Sequence, residues 1–255
     1  MWLVLILAIV QGVAEFLPIS SSGHLVILGD WFGDLADEPT LEIILHAGTL
    51  GSIVVVYYRR IWELLTRDRR VIGLVLAASI PTGIVGLVIK SQFNELTRSP
   101  MLASAMLLIT GIGLLVLRTY RGGETGYHRL PYLAAVVVGC FQSFAILPGI
   151  SRSGSTILGG RMMGLKNEDA VTFSFLIAIP AIAGATLLAM KDLIDPNYNA
   201  EIPALTLAIG AAVSFLVGIV SLRLLIRFNR TERLHWFAAW CLPFGAASLL
   251  WQWLG

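Results

Sequence analysis

Gln11, Glu15, Ser20, Ser21, Ser22 and His24 place an amide, a carboxylate, three hydroxyls and an imidazole within fourteen residues of an otherwise apolar stretch. Gln11 and Glu15 are four apart and share one face of a helix. Pro18 has no backbone donor and disfavours helix at Leu17, so that helix is expected to stop there. The serines can then cap a second short helix beginning near Gly23, and a helix start with free amide groups is an anion site. A second polar stretch, Pro148-Gly149-Ile150-Ser151-Arg152-Ser153-Gly154-Ser155-Thr156, sets a guanidinium between two serines in an equally apolar context. The planar fork of arginine matches phosphate oxygens. Gly149 and Gly154 let backbone approach an anion, and Ser151, Ser153 and Thr156 add hydroxyl donors.

Each residue has a plainer reading beside the chemical one. Glu15 at membrane depth is costly and marks function, whereas near the interface it is merely solvated. Gln11 either bonds a neighbouring helix or touches substrate or a metal. The serines can be caps alone, or one can be a nucleophile with Glu15 or His24 as its base. Arg152 binds phosphate or forms a structural ion pair with Glu15. His46, in the helix after the first polar stretch, can line the same cavity; His128 and His235 sit in or beside basic loops and are expected at the surface.

The elements holding these groups follow from composition. The 255 residues are 56% hydrophobic and 13% charged, with a mean hydropathy of +0.80. Soluble domains carry about 25% charged residues, so the chain is read as an all-α integral membrane protein. A net charge of +2 leaves no nucleic-acid footprint. Cys140 and Cys241 lie in apolar segments and are expected to be buried small hydrophobes, neither a disulfide nor a metal pair. No basic segment precedes the first apolar run and no small-x-small cleavage site precedes Gln11, so a signal peptide is not expected.

A shift of 131 residues lays Gln11 on Gln142, Ser20 on Ser151, Ser21 on Arg152, Ser22 on Ser153 and Gly23 on Gly154. Apolar segments near Leu41–Tyr58, Val71–Ile89 and Met101–Leu117 fall on those near Val171–Met190, Ile202–Leu222 and Leu234–Leu254. The chain is therefore expected to be one transmembrane domain of two repeats, 1–120 and 132–255, joined by a linker over 121–131. The piece after each polar stretch is about eight residues, too short for a span of about twenty. Basic residues collect in cytoplasmic loops. If each polar stretch tips a re-entrant hairpin, fourteen Lys/Arg fall on one side and only Lys90, Arg98 and Lys191 on the other; if the first segments span, the split is nine to eight. The expected fold is thus two inverted-topology repeats, each a re-entrant helical hairpin plus three transmembrane helices, with both termini outside. The two tips can then meet near the midplane, the depth at which non-helical backbone must line a protein cavity. An acidic loop with Asp30, Asp34, Asp37 and Glu38 follows the first hairpin.

A carboxylate, an arginine, capped helix starts and a serine–histidine tip within apolar walls point to phosphoryl transfer on a phosphorylated lipid. Gln11-x-x-x-Glu15 followed by Ser20-Ser21-Ser22-Gly23-His24 resembles the (Glu/Gln)-x-x-x-Glu and Ser-Ser-x-Gly-His signature of bacterial undecaprenyl-pyrophosphate phosphatases, the bacitracin-resistance family. The stretch from Pro148 to Thr156 is similar to that family's Pro-Gly-x-Ser-Arg-Ser-Gly-x-Thr motif. The resemblance covers nearly the whole chain. It implies an enzyme of the bacterial plasma membrane that removes the terminal phosphate of undecaprenyl diphosphate, with its site reached from outside. It implies catalytic roles for Glu15, Ser21, His24 and Arg152, and phosphate contacts from Ser20, Ser22, Ser151, Ser153, Thr156 and Gln142. A divalent cation, Mg2+ or Ca2+, would be held by Glu15 and Gln11; Gln11 takes the amide option, which leaves one carboxylate fewer. The expected partners are the polyprenyl diphosphate, the bilayer and a second copy of the chain. An inverted-repeat transporter or lipid flippase is the rival reading, and it gives the serine–histidine tip no chemical task.

Overall fold

The computed structural model describes residues 1–32, 39–120, 122–193 and 202–254, all organised as helices and their connections. In chain order these are α1 (Trp2–Ala14), α2 (Ser21–Phe32), α3 (Pro39–Val56), α4 (Tyr58–Thr66), α5 (Arg69–Gln92), α6 (Pro100–Leu117), α7 (Tyr132–Phe144), α8 (Arg152–Met162), α9 (Asn167–Leu193), α10 (Ala204–Arg230) and α11 (Ala238–Leu254). Among the described residues there is no strand, only an isolated bridge between Thr125 and Leu165. Asp34, Asp37 and Glu38 of the acidic loop lie outside the described residues.

Five stretches are long and apolar enough to cross a bilayer: α5, α6, α9, α10 and the segment Leu234–Leu254. The pair α3 and α4 passes the same test together but bends by 72°. This is a multi-pass membrane protein. The bend is not visible as a break in the hydropathy of Leu41–Tyr58: helix resumes directly at Tyr58, and α4 turns its Trp62 and Leu65 outward beside Arg59 and Arg60. Large apolar and basic side chains exposed together suit an interfacial helix.

α1 and α7 have 13 residues each, about 20 Å at 1.5 Å per residue, against about 30 Å of hydrocarbon. Neither is long enough to span. Each reverses through a buried polar turn into α2 or α8. Other ends are set by local chemistry: Ser99 caps α6 by accepting from Leu102 N–H at 3.2 Å, with Pro100 at the first helical position, where its missing donor costs nothing.

Helix pairing is close. α1 and α3 pack on α10, α7 and α9 on α5, α6 on α11 and α3 on α9. A methyl on Gly139 of α7 would fall 2.1 Å from the Ala78 carbonyl of α5, so that crossing is made at backbone contact. At one end of the bundle, Arg70 bonds the His128 and Leu130 carbonyls, Asp68 pairs with His128, Arg161 bonds Asn229 and Arg230 pairs with Glu168. Arg70, Arg161 and Arg230 thus make their contacts at this end. Burial pushes the Tyr127 phenol in this region upward. Cys241 is a buried free thiol as expected, whereas Cys140 is free but exposed on the outer face of α7.

Candidate active site

The two polar turns are built on different devices. In the first, α1 ends at Ala14 and the chain reverses over residues 15–20, with Ser20 in the left-handed region at φ 69°. Ser20 is buried and holds its place by local bonds: its Oγ accepts from Gly23 N–H at 3.3 Å, and its carbonyl accepts from His24 N–H at 3.3 Å. In the second, Gly149 supplies the positive φ at 95°. Thr110 of α6 pins that turn, donating to the Gly149 carbonyl at 2.7 Å and accepting from Ser151 N–H at 2.9 Å. Ser151 then caps α8 by accepting from Gly154 N–H at 3.2 Å.

The turns touch. A Cβ on Gly23 would lie 2.6 Å from Gly149 Cα, so a glycine is required there for this approach. Contact of the tips delivers Arg152 to Glu15, 137 residues away. Arg152 Nη2 donates to Glu15 Oε1 at 2.6 Å, and the two side chains are 15% and 5% exposed. Ser21 Oγ donates to Glu15 Oε2 at 2.6 Å and Gln11 Nε2 donates to the same oxygen at 3.0 Å. His46 Nε2 lies 3.6 Å from it, while its Nδ1 faces the Glu42 carbonyl at 2.9 Å. A carbonyl only accepts, so His46 Nδ1 carries a hydrogen.

Two buried polar atoms in this cluster have no protein partner: Arg152 Nη1 and Gln11 Oε1. A buried unpaired donor on a guanidinium is costly to leave unmade. It points to an acceptor that arrives with a ligand. The surroundings offer a carboxylate at a serine hydroxyl for proton transfer and a guanidinium for an anion, which is the equipment for displacement at phosphorus.

The other expected residues divide. Ser22 is half-buried with its Oγ 3.4 Å from Ser20 Oγ, and Ser153 Oγ lies 3.3 Å from Ser151 Oγ, so these pairs border the two helix starts. Thr156 is fully buried, donating to the Arg152 carbonyl at 2.7 Å and lying 2.5 Å from Ser174 Oγ, which commits it to packing α8 on α9. Gln142 donates to Thr82 on α5 at 3.2 Å, away from Glu15. His24 lies off the Glu15 cluster: Nδ1 faces the Ser20 carbonyl at 2.7 Å and Nε2 accepts from Trp240 at 2.9 Å. Trp240 and Thr110 carry no local motif, and no sequence signal near them marks either contact. Among the described residues no three His, Cys, Asp or Glu side chains gather as a metal cluster.

A family model for bacitracin resistance protein BacA matches residues 4–247. An undecaprenyl-diphosphatase of Rhodopirellula baltica is 62% identical over 247 residues, covering 97% of this chain and 96% of its own. Those of Alkaliphilus metalliredigens and Corynebacterium efficiens are 38% and 35% identical, over 96% and 98% of this chain and 96% and 90% of theirs. A family model spanning nearly the full length, and relatives aligned end to end across both polar turns, make this chain a member of the bacitracin resistance protein BacA family.

Proposed function

We propose that the protein hydrolyses undecaprenyl diphosphate to undecaprenyl phosphate and inorganic phosphate, returning the lipid carrier for cell-wall synthesis. Relatives aligned over nearly the whole chain carry that activity in their names. The observation that carries the reading is the buried, unpartnered Arg152 Nη1 beside the Ser21–Glu15 hydrogen bond. A transporter would have no use for a carboxylate set 2.6 Å from a serine hydroxyl.

In the free protein Glu15 is neutralised by Arg152. A diphosphate entering the site offers Arg152 better acceptors, and Nη1 is already free to take one. The carboxylate is then released to accept the Ser21 proton as Oγ attacks the terminal phosphorus. The P–O bond to the bridging oxygen breaks, and undecaprenyl phosphate leaves with that oxygen. Glu15 passes the Ser21 proton to the departing phosphate; water then attacks the phosphoserine, and Glu15 takes its proton and returns it to Ser21 Oγ as inorganic phosphate leaves. Arg152 holds charge on the phosphoryl oxygens throughout.

A divalent cation, Mg2+ or Ca2+, fits this site only with the substrate's help. Glu15 and Gln11 Oε1 offer protein oxygens, and the diphosphate would complete the shell, as Mg2+ commonly takes one or two carboxylates plus phosphates. The Gln11 amide can turn its oxygen toward the ion, since which end faces Glu15 is set by the network. The ion would neutralise phosphate charge.

The two inverted repeats, 1–120 and 132–255, are supported by the packing. Exchanging the halves turns the α1–α10 contact into α7–α5 and α3–α10 into α9–α5, while α6–α11 and α3–α9 map onto themselves. The same serine cap recurs at Ser20–Gly23 and Ser151–Gly154. The gathering of arginines at one end supports a bacterial plasma membrane with that end cytoplasmic, and a site reached from outside.

The test is phosphate release from undecaprenyl diphosphate by purified protein, with radiolabelled terminal phosphate to trap phosphoserine. Wild type should release phosphate and label transiently; Ser21→Ala should do neither. Wild-type turnover without any label would reassign the attack to water.

A further inference from the structure

His24 is held by two partners that leave it one protonation state. A carbonyl only accepts, so Nδ1, at 2.7 Å from the Ser20 oxygen, carries the hydrogen. An indole N–H only donates, so Nε2, at 2.9 Å from Trp240 Nε1, presents its lone pair. Protonation of Nε2 would set one N–H against another. The ring geometry agrees with an in-plane bond: the imidazole and the Trp240 ring are 11° from coplanar. Phe244 stacks on the imidazole with centroids 4.8 Å apart and 3° between planes. His24 is 5% exposed.

The Nδ1–H bond lands on a special residue. Ser20 is one of two non-glycine residues at positive φ among those described, and it directly precedes Ser21. A left-handed serine is strained and persists only where its surroundings impose it. Its carbonyl receives both the backbone and the ring N–H of His24. That turn aims Ser21 Oγ at Glu15.

From these contacts we propose that Trp240 is a positioning residue of the reaction. It fixes the neutral Nδ1–H tautomer of His24, and His24 acts as the clamp on the left-handed Ser20 carbonyl rather than as the base for Ser21. Trp240 lies 216 residues from His24, so α11 is tied to the catalytic turn of the first repeat. The inference rests on the phosphatase reading for its kinetics but not for its spectroscopy.

The experiment uses full-length protein in lipid nanodiscs. Side-chain 15N NMR of histidine-labelled protein reads the tautomer directly, with the His24 signals assigned by their loss in His24→Asn. Wild type should give a protonated Nδ1 and a lone-pair Nε2. Trp240→Phe keeps a ring but removes the donor; it should give mixed tautomers and a kcat lowered several-fold, with KM for undecaprenyl diphosphate changed less than twofold. An asparagine amide can replace the Nδ1–H donor but cannot act as a base. His24→Asn should therefore recover at least about tenfold of the kcat lost in His24→Ala. An Nε2–H tautomer in wild type, or an unchanged tautomer and kcat in Trp240→Phe, would overturn the positioning role. His24→Asn as inactive as His24→Ala would overturn the clamp in favour of a base. If wild type releases no phosphate, the proposed activity fails while the tautomer result stands.

Discussion

Arg152→Lys separates charge from geometry. In the structure Arg152 reaches Glu15 with Nη2 and keeps Nη1 for an incoming acceptor. Lysine is a point charge on a flexible stem and cannot address two acceptors in one plane. It can still neutralise Glu15, so folding and insertion should survive. The loss is one hydrogen bond to a charged group, worth about 1.5–3 kcal/mol. At about 1.4 kcal/mol per tenfold, kcat/KM should fall about 10- to 150-fold. Arg152→Ala is different in kind, because it strands a carboxylate whose side chain is only 5% exposed. Breaking one side of a buried pair costs about 3–5 kcal/mol, so its Tm should drop as well. Adding Glu15→Gln to Arg152→Ala should recover much of the lost Tm and none of the turnover. The assay is phosphate release from undecaprenyl diphosphate, run beside thermal unfolding in the same detergent. Full kcat/KM in Arg152→Lys would refute a two-acceptor role, and an unchanged Tm in Arg152→Ala would refute the buried pair.

Gly23→Ala should lower Tm by the equivalent of about 1–3 kcal/mol and cut turnover, because its Cβ would meet Gly149 backbone; Gly83→Ala, with open space around it, serves as the control, and equal Tm values for the two would deny the contact of the tips. Chelation should abolish phosphate release and Mg2+ or Ca2+ restore it, while Gln11→Glu, by adding a carboxylate, should lower the cation concentration needed for half-maximal rate. An unchanged cation requirement would remove Gln11 from the ion's shell. For orientation, a cysteine at Ser91 should react with an impermeant maleimide in intact cells and one at Gly123 should not. Reaction at both would end the inverted-hairpin topology.

The parts of this site legible in the sequence are those encoded locally or by repetition. Pro18 and the serine run mark where α1 must yield to α2: a stop near Leu17 and a serine-capped helix from near Gly23 are expected, and the structure ends α1 at Ala14 and starts α2 at Ser21, with Gly23 N–H bonded to Ser20 Oγ. The 131-residue register brings Ser151 to the place of Ser20, and both adopt the same cap. It also lays Arg152 on Ser21 and so brings the arginine-bearing turn to the Glu15-bearing one, in an apolar interior where an unpaired charge is expensive. That cost is why the sequence offers an Arg152–Glu15 pair as the plainer reading beside phosphate binding, and the structure shows the pair at 137 residues' separation. The bend at Tyr57 was not foreseeable, because α3 and α4 form a continuous helical sequence and only the bundle decides where the chain leaves the span. Nor were the true partners of Gln142, Thr156 and His24. Repetition suggests that Gln142 does what Gln11 does, but residue 146 is isoleucine where the first repeat has Glu15, so the amide turns to Thr82 instead. Thr156 finds Ser174 because α8 packs on α9, and His24 finds Trp240 through a third helix. The two turns share a serine cap but differ in their reactive groups: one carries Glu15 and Ser21, the other Arg152. The Glu15–Arg152 cluster exists only where the two turns meet, so neither turn supplies it alone.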